Sequence, residues 1–450
     1  MKNKIILMFS FLLISLYSEE NSFSQRGIDT LEEVWNSVKK YHYDDSINEK
    51  LDVIYKRYKP LAAQAKSDSE IADIANKMLQ ELKQSHLYLL PPENKTVIEA
   101  LQVSENVKKT VSNKPKKDFK EKAVEKIKET DIISNMLSPI SDSKDVNQPA
   151  DIGVRLCLAD NKVCVLDVKS NSPADKAGIS IGYVISEVNG VKINPQIKSF
   201  YPWDVITERM FQGKLGTEIY LSVITREGEE KKLTLKLAPT GKKWISMGYM
   251  PKIIGEFQYK ILPGNIGYIF FSPCFTQQIM EFQYAIMKME KIDGLIIDVR
   301  NNPGGILFTP SAITGWLSDK EVDFGIMDMK GTELNIKSYP QADAFTGPLV
   351  VLTNRGTGSA AEIFAAGMQD AKRAKIIGER TAGKCLPSIF IKLKTGFRLQ
   401  TITGNCIRAN GEEIEIKGVT PNIKVKMKYK DLIQGKDSIL EEARNVLKEN

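Results

Sequence analysis

Pro348-Leu349-Val350-Val351-Leu352-Thr353-Asn354 followed by Gly356-Thr357-Gly358-Ser359-Ala360-Ala361-Glu362 is the stretch from which the rest of this chain is read. The apolar run is a buried strand, the glycines make a turn, and Ile363-Phe364-Ala365-Ala366-Gly367-Met368 continue as a helix. Ser359 therefore sits where a strand turns into a helix. The first N–H groups of a helix lack intrahelical acceptors and favour negative charge nearby, and flanking glycines let a substrate backbone come close. A nucleophilic hydroxyl is presented in this way. Ser359 and Glu362 also have the S-x-x-E spacing of a capping box, which needs no chemistry. The stretch alone leaves both readings open.

A second strand-to-glycine transition lies upstream. Gly294-Leu295-Ile296-Ile297-Asp298-Val299-Arg300 reads as a buried strand that opens into Asn301-Asn302-Pro303-Gly304-Gly305. Glycines just past a buried strand expose backbone N–H groups at the edge of a sheet, as an oxyanion hole requires. Ahead of it, 265–271 reads as a strand and 276–291 as a helix, so residues 241–430 form an α/β core. Residues 431–450 add an amphipathic helix, capped by Asp437 or Ser438 and packed on that core.

The bounds on the whole chain agree with a multidomain α/β protein. Its 450 residues are 42% hydrophobic and 26% charged, which excludes both a membrane bundle and a disordered chain. A net charge of +7 invites a nucleic-acid partner, yet the lysines concentrate in one segment without interleaved aromatics, so no nucleic-acid partner is expected. Lys2 and Lys4 precede the apolar run from Ile5 to Tyr17, and Ser22-Phe23-Ser24 supplies small residues for cleavage. Residues 1–24 thus read as an export signal, with periplasmic, cell-envelope or extracellular destination, and membrane contact only through that signal or an uncleaved anchor. Cys157, Cys164, Cys274, Cys385 and Cys406 have no metal-binding spacing, and no metal or cofactor is expected. A hairpin turn at 159–162 would set Cys157 opposite Cys164, although unpaired core thiols are preferred over a disulfide.

Along the chain, residues 25–93 are helical, with Leu31, Val34, Trp35 and Val38 on one face and Ile71, Ile74, Ala75, Met78 and Leu79 on another after the start signal Ser67-Asp68-Ser69. His42 is read as packed or solvated. His86, at the end of this region, is kept as the group able to titrate near neutrality. Residues 94–150 form a lysine- and glutamate-rich insertion. Residues 151–240 turn to β character: Gly153 to Leu158 and Val163 to Val168 as a hairpin, Ser172 to Ile179 as a short helix, then strands at 183–190 and 219–225.

The order of these β elements, with Ser172-Pro173-Ala174-Asp175-Lys176-Ala177-Gly178-Ile179, resembles the PDZ family. That family binds an extended chain end by strand addition, and the resemblance implies that backbone N–H groups at Ile152, Gly153 and Val154 hold the terminal carboxylate. The larger order, helical region, PDZ module, 298–305 (DVRNNPGG), 357–362 (TGSAAE), 378–384 (GERTAGK) and 417–422 (KGVTPN), resembles the tail-specific, or C-terminal processing, serine peptidases, whose wider family includes the tricorn protease core. The resemblance implies a crotonase-like α/β core, Ser359 as nucleophile, and an oxyanion hole from the N–H of Ala360 with that of Gly304 or Gly305. Substrates would be polypeptides, taken through their C-termini.

Two branches of that family differ in the general base. One uses a lysine, here Lys384, whose pKa burial must lower before it can accept a proton. That branch has a glutamine four residues on, where this chain has Ser388. The tricorn-like branch uses a histidine after a D-S pair and a distant glutamate, here His86, Ser85 and Glu415, with Gln84 in place of the aspartate. His86, oriented by Ser85 and Glu415, is the preferred base because an imidazole needs little tuning near pH 7. The departures at Gln84 and Ser388 leave a rival of another class, an idle PDZ scaffold that only holds peptides. An acyl-processing crotonase-like enzyme is the weaker rival, since it needs neither a PDZ module nor this serine.

Overall fold

The computed structural model describes residues 23–92, 149–196 and 203–449. The expected export signal and the lysine-rich insertion lie outside the described residues except at their margins. The chain opens with α1 (residues 23–41), α2 (Asn48–Ala62) and α3 (Asp68–Gln80), followed by β1 (Tyr88–Leu90). Ser67 starts α3 as its spacing predicts, its hydroxyl oxygen accepting the Glu70 N–H at 3.1 Å.

The β module comprises β2 (Ala150–Asp151), β3 (Val154–Ala159), β4 (Lys162–Val168), α4 (Pro173–Lys176), β5 (Val184–Val188), β6 (Val191–Lys192), α5 (Trp203–Met210), β7 (Glu218–Ile224), β8 (Glu230–Lys236) and β9 (Ala238–Pro239). Its sheet runs β3-β4-β5-β7-β8, with β6 beside β5 and β2 paired to β9. The expected hairpin sets Cys157 directly opposite Cys164, and both residues are buried with no disulfide between them.

The core then contains β10 (Lys243–Ile245), β11 (Ile253–Leu262), β12 (Ile266–Ser272), α6 (Gln277–Lys288), β13 (Gly294–Asp298), α7 (Phe308–Thr314), β14 (Val322–Met329), β15 (Thr332–Ser338), β16 (Leu349–Thr353), α8 (Ala360–Asp370), β17 (Lys375–Gly378), β18 (Ser388–Lys392), β19 (Arg398–Ile402), β20 (Gly404–Ile407), β21 (Ile423–Lys424), α9 (Tyr429–Leu432) and α10 (Ser438–Lys448). Seven strands form the main sheet in the order β10-β11-β12-β13-β16-β17-β21, parallel from β12 onward. Every residue of β13 and β16 is buried, because α6 and α8 cover one face while α10 and part of the β module cover the other. Sequences buried on both faces read as unbroken apolar runs, which is why these two strands are legible. They are also adjacent and parallel, so their C-terminal ends lie side by side and the two glycine turns meet there. Ligands of parallel sheets bind beyond that edge.

A second arrangement positions the candidate bases. β1 and β18 both pair antiparallel with β19, so they run parallel to each other in a three-stranded sheet. His86 precedes β1 and Lys384 precedes β18, which brings both to the same end of that sheet. The N-terminal helices do not close a core of their own. Leu31, Ile71 and Met78 pack with Leu386, Phe397, Leu399 and Ile402 instead, because three short helices have too little apolar surface to bury among themselves. The C-terminal helix α10 lies on the main sheet as expected, and Asp437 caps it by accepting from the N–H groups of Ile439 and Leu440, each at 3.1 Å.

Candidate active site

Ser359 has φ +51° and ψ −124°, a region that non-glycine residues rarely occupy and that costs on the order of 1–3 kcal/mol unless its surroundings enforce it. Two contacts do so: its N–H donates to the Lys384 carbonyl at 2.8 Å and to Glu362 Oε2 at 3.0 Å. The Ser359–Glu362 capping box is present, but Glu362 does more than cap. It is fully buried and also accepts from Thr381 Oγ1 at 2.5 Å, Gly383 N–H at 2.7 Å and Lys384 N–H at 2.9 Å. Burial pushes its carboxyl pKa up, and these donors oppose that by favouring the ionised form. The carboxylate thus ties the Ser359 turn to residues 381–384. The spacing pointed only to a cap, since three of its four donors come from the far side of β17.

Gly304 and Gly305 have φ +92° and +142°. A Cβ on Gly304 would fall 2.6 Å from Ser359 Cβ and 2.7 Å from the Ala360 nitrogen, and one on Gly305 would fall 2.2 Å from the Cys274 carbonyl oxygen. Only glycine fits either place. The Gly304 N–H donates to Asn302 Oδ1 at 2.9 Å, which removes it from the expected oxyanion donors. The N–H groups of Gly305 and Ala360 have no acceptor among the described residues. Asn302 went unnoticed in the sequence. It is fully buried, its Nδ2 donates to the Phe271 carbonyl at 2.8 Å, and its carbonyl accepts the Gly358 N–H at 2.9 Å, so it joins both glycine turns to β12.

The four remaining candidates gather beside this turn. Ser85 donates its N–H to Glu415 Oε1 and its hydroxyl to Oε2, both at 2.9 Å, and Ser85 Oγ lies 2.7 Å from His86 Nδ1. Since the one hydroxyl proton goes to the carboxylate, Nδ1 carries a proton and donates to Oγ, which leaves the lone pair on Nε2. Glu415 Oε2 also accepts the Cys385 N–H at 2.8 Å, next to Lys384, whose carbonyl takes the Ser359 N–H. A continuous chain of contacts therefore runs from Ser359 through residues 384 and 385 to Glu415, Ser85 and His86. Burial lowers the His86 pKa to about 4, with the Lys384 cation adding to the effect. Burial lowers the Lys384 pKa to about 8, against the pull of Glu415 and Glu362. At pH 7 the imidazole is neutral and Lys384 carries its charge.

The departures from the family patterns have local partners. Gln84 Oε1 lies 3.0 Å from Nε2 of the buried His42, so the other histidine anchors the turn that carries Ser85 and His86. Burial holds the His42 pKa below its ordinary value. Ser388 Oγ accepts from Gln400 Nε2 at 2.9 Å.

In the β module, the Gly153 N–H donates to Asp151 Oδ1 at 2.7 Å, while the carbonyls of Ile152 and Gly153 accept from Ala174 and Lys169. The Gly153 amide is thus engaged within its own loop rather than open to a carboxylate, and only Ile152 and Val154 remain of the three expected donors. Asp151 is itself held by Lys242 at 2.8 Å.

Residues 265–425 match the model for peptidase family S41, and residues 150–237 match that for the PDZ domain. A carboxy-terminal-processing protease of Bartonella bacilliformis is 28% identical over 306 residues, covering 65% of this chain and 65% of that protein, so the chain spans just under two thirds of its relative's length. The solved photosystem II D1 C-terminal processing protease superposes with a TM-score of 0.53 at 20% identity over 94% of this chain and 97% of that one. The tricorn protease superposes with a TM-score of 0.52 at 18% identity, over 95% of this chain and 37% of that one. At these identities the two structures establish the shared fold. With the peptidase match on the sheet that carries both glycine turns and the PDZ match on the β module, residues 265–425 are a peptidase family S41 domain and residues 150–237 a PDZ domain.

Proposed function

We propose that this chain is an exported serine endopeptidase that acts on polypeptides, with Ser359 as nucleophile and His86 as general base. The observation that carries the reading is the Glu415–Ser85–His86 relay, which Cys385 and Lys384 join to the strained Ser359 turn. In this mechanism Nε2 takes the hydroxyl proton as Ser359 Oγ attacks the peptide carbonyl carbon. The negative charge forms between the N–H groups of Gly305 and Ala360, where one lost donor costs on the order of 3 kcal/mol of barrier. The intermediate collapses, the amine leaves with the proton from His86, and an ester remains on Ser359. Water, deprotonated by Nε2, then releases the second product. Ser85 and Glu415 hold the ring and stabilise the imidazolium.

Lys384 is the second reading for the base, favoured by its pKa of about 8. The engagement of Ser388 with Gln400 speaks against it, because the residue that would orient a lysine base is turned to another partner. Recognition of chain ends rests on the PDZ domain and on the relative's description as a carboxy-terminal-processing protease. Export rests on the lysine-flanked apolar run at residues 2–17.

Hydrolysis of casein or a quenched peptide by the wild-type chain is compared with Ser359→Ala, His86→Ala and Lys384→Ala, with fluorophosphonate labelling in parallel. Loss in Ser359→Ala and His86→Ala is expected. Activity that survives in Ser359→Ala sinks the peptidase mechanism, and a wild-type chain that binds peptide but neither cleaves nor labels is the idle scaffold.

A further inference from the structure

β18 is an edge strand. It pairs with β19 on one side, and on the other side no strand accompanies it among the described residues. The direction of its backbone groups follows from two hydrogen bonds flanking it: Thr403 N–H donates to the Pro387 carbonyl, and Leu393 N–H to the Phe397 carbonyl, both at 2.8 Å. Antiparallel ladders alternate, so residues 387, 389, 391 and 393 turn their N–H and C=O groups toward β19. Ser388, Phe390 and Lys392 turn theirs toward the open side. Their neighbours make the edge apolar, for Ile389 is 39% exposed and Phe390 half-buried, and only Lys392 carries charge. Proteins normally blunt such an edge with charges, proline or a bulge, so an unprotected one calls for an occupant.

Position identifies that occupant. β18 begins three residues after Cys385, whose Sγ lies 3.7 Å from the Ser359 carbonyl oxygen, so its first outward amide is at most about 10 Å of extended chain from a residue that touches the nucleophile's backbone. Next to Glu415, which accepts the Cys385 N–H, Ile416 is 73% exposed at φ +66°, and its N–H donates to the Gly383 carbonyl at 2.8 Å. A β-branched side chain held in that conformation and left in water is doubly unfavourable, and contact with an apolar substrate residue would relieve half of that cost. A polypeptide whose scissile bond lies at Ser359 must be extended there, and extended chains bind by adding to a free sheet edge.

We propose that the outer edge of β18 is the docking strand for the polypeptide substrate, which adds to the β1-β19-β18 sheet by backbone hydrogen bonds to Ser388, Phe390 and Lys392. This rests on the peptidase reading of the Ser359 site and assigns that site its substrate-binding mode. Apolar residues near the scissile bond are preferred, since Ile389 and Ile416 flank the path. The site is separate from the PDZ groove and needs no free C-terminus.

Phe390→Pro deletes one outward N–H while sparing the β19 ladder, and Phe390→Ala keeps that N–H while removing the ring. Cleavage of a twelve-residue quenched peptide with an amidated C-terminus is measured for both. Binding of the same peptide is measured by fluorescence anisotropy in Ser359→Ala with and without Phe390→Pro, and sedimentation velocity reports assembly. Strand addition predicts that Phe390→Pro lowers kcat/KM and affinity roughly tenfold or more and that Phe390→Ala does so much less. Fluorophosphonate labelling of Ser359 then shows that the variant is folded around its nucleophile. A change within twofold in both kcat/KM and affinity overturns the proposal, as does a Phe390→Pro variant that dissociates an oligomer while cleaving normally, because the edge then belongs to a second copy of the chain. A wild-type chain that neither labels nor cleaves, but whose peptide affinity still falls with Phe390→Pro, overturns the peptidase reading and leaves the docking strand standing.

Discussion

Glu415 makes three hydrogen bonds, to the N–H and hydroxyl of Ser85 and to the N–H of Cys385, and so joins the histidine and lysine candidates through one carboxylate. Their pKa values give a test that separates them. A base works when deprotonated, so with His86 in that role kcat/KM rises through about pH 4 and is level by neutrality. With Lys384 it is still rising through about pH 8. Removing the Lys384 cation also removes one of the two causes that depress His86. In Lys384→Ala the acid limb of the kcat/KM profile is therefore expected to move to higher pH, toward the ordinary imidazole value, while activity persists. His86→Ala is expected to lower kcat by about 10²–10⁴. Glu362 belongs to the same scale: Glu362→Ala leaves the N–H groups of Gly383 and Lys384 and the Thr381 hydroxyl without their acceptor. Slower fluorophosphonate labelling of Ser359 together with a lower unfolding midpoint is expected, because that carboxylate shapes the turn as well as holding it.

At the scale of elements, the site is two strand-to-turn transitions set side by side, and the turns touch at Gly304. Gly304→Ala would place a methyl group where Ser359 Cβ and the Ala360 nitrogen already lie, at a φ of +92° that alanine avoids. Loss of kcat by about a hundredfold or more is expected, the size of a displaced oxyanion donor, read in single-turnover assays alongside a thermal melt. β13, β16 and α8 were legible because each is a continuous apolar segment bounded by glycine or polar turns. β14, β15, β18, β19 and β20 were not predicted. Along β15 all but two residues are exposed, and β18 and β19 are strands because β1 and the N-terminal helices cover them, a partnership that no local period encodes.

For the whole molecule, the seat of the PDZ domain on the core is a buried ion cluster. Asp298, at the end of β13, accepts from Tyr268 Oη at 2.6 Å, from Arg300 at 2.7 and 2.9 Å, and from Arg155 of the PDZ domain at 3.3 Å, while Arg300 also meets Asp437 at the cap of α10. Burial alone would raise the Asp298 pKa, but Arg300 and Arg155 outweigh it and hold it well below the usual carboxylate range. A depressed carboxylate stabilises the fold above its unfolded pKa of about 3.9, so this contribution is present at neutral pH and is lost as the pH falls below about 4. Arg300→Ala takes the nearer cation from buried Asp298 and its cation from half-buried Asp437, and is expected to cost about 3 kcal/mol in urea unfolding at pH 7, and less at pH 3.

Sequence alone determined the order of modules, the strand–glycine–helix presentation of Ser359, the second glycine turn, and the pairing of Cys157 with Cys164 across a hairpin. These follow from local periodicity and turn chemistry, which act over a few residues. Only the tertiary structure decided that the Gly304 and Gly153 amides are engaged and not open, that Asn302 and Glu362 hold the two turns together, and that His86 and Lys384 arrive at the same end of one small sheet. Hydrogen bonds and burial between segments as far apart as Ser85 and Glu415 carry no signature in either segment, and they come into being when β1, β18 and β19 pair.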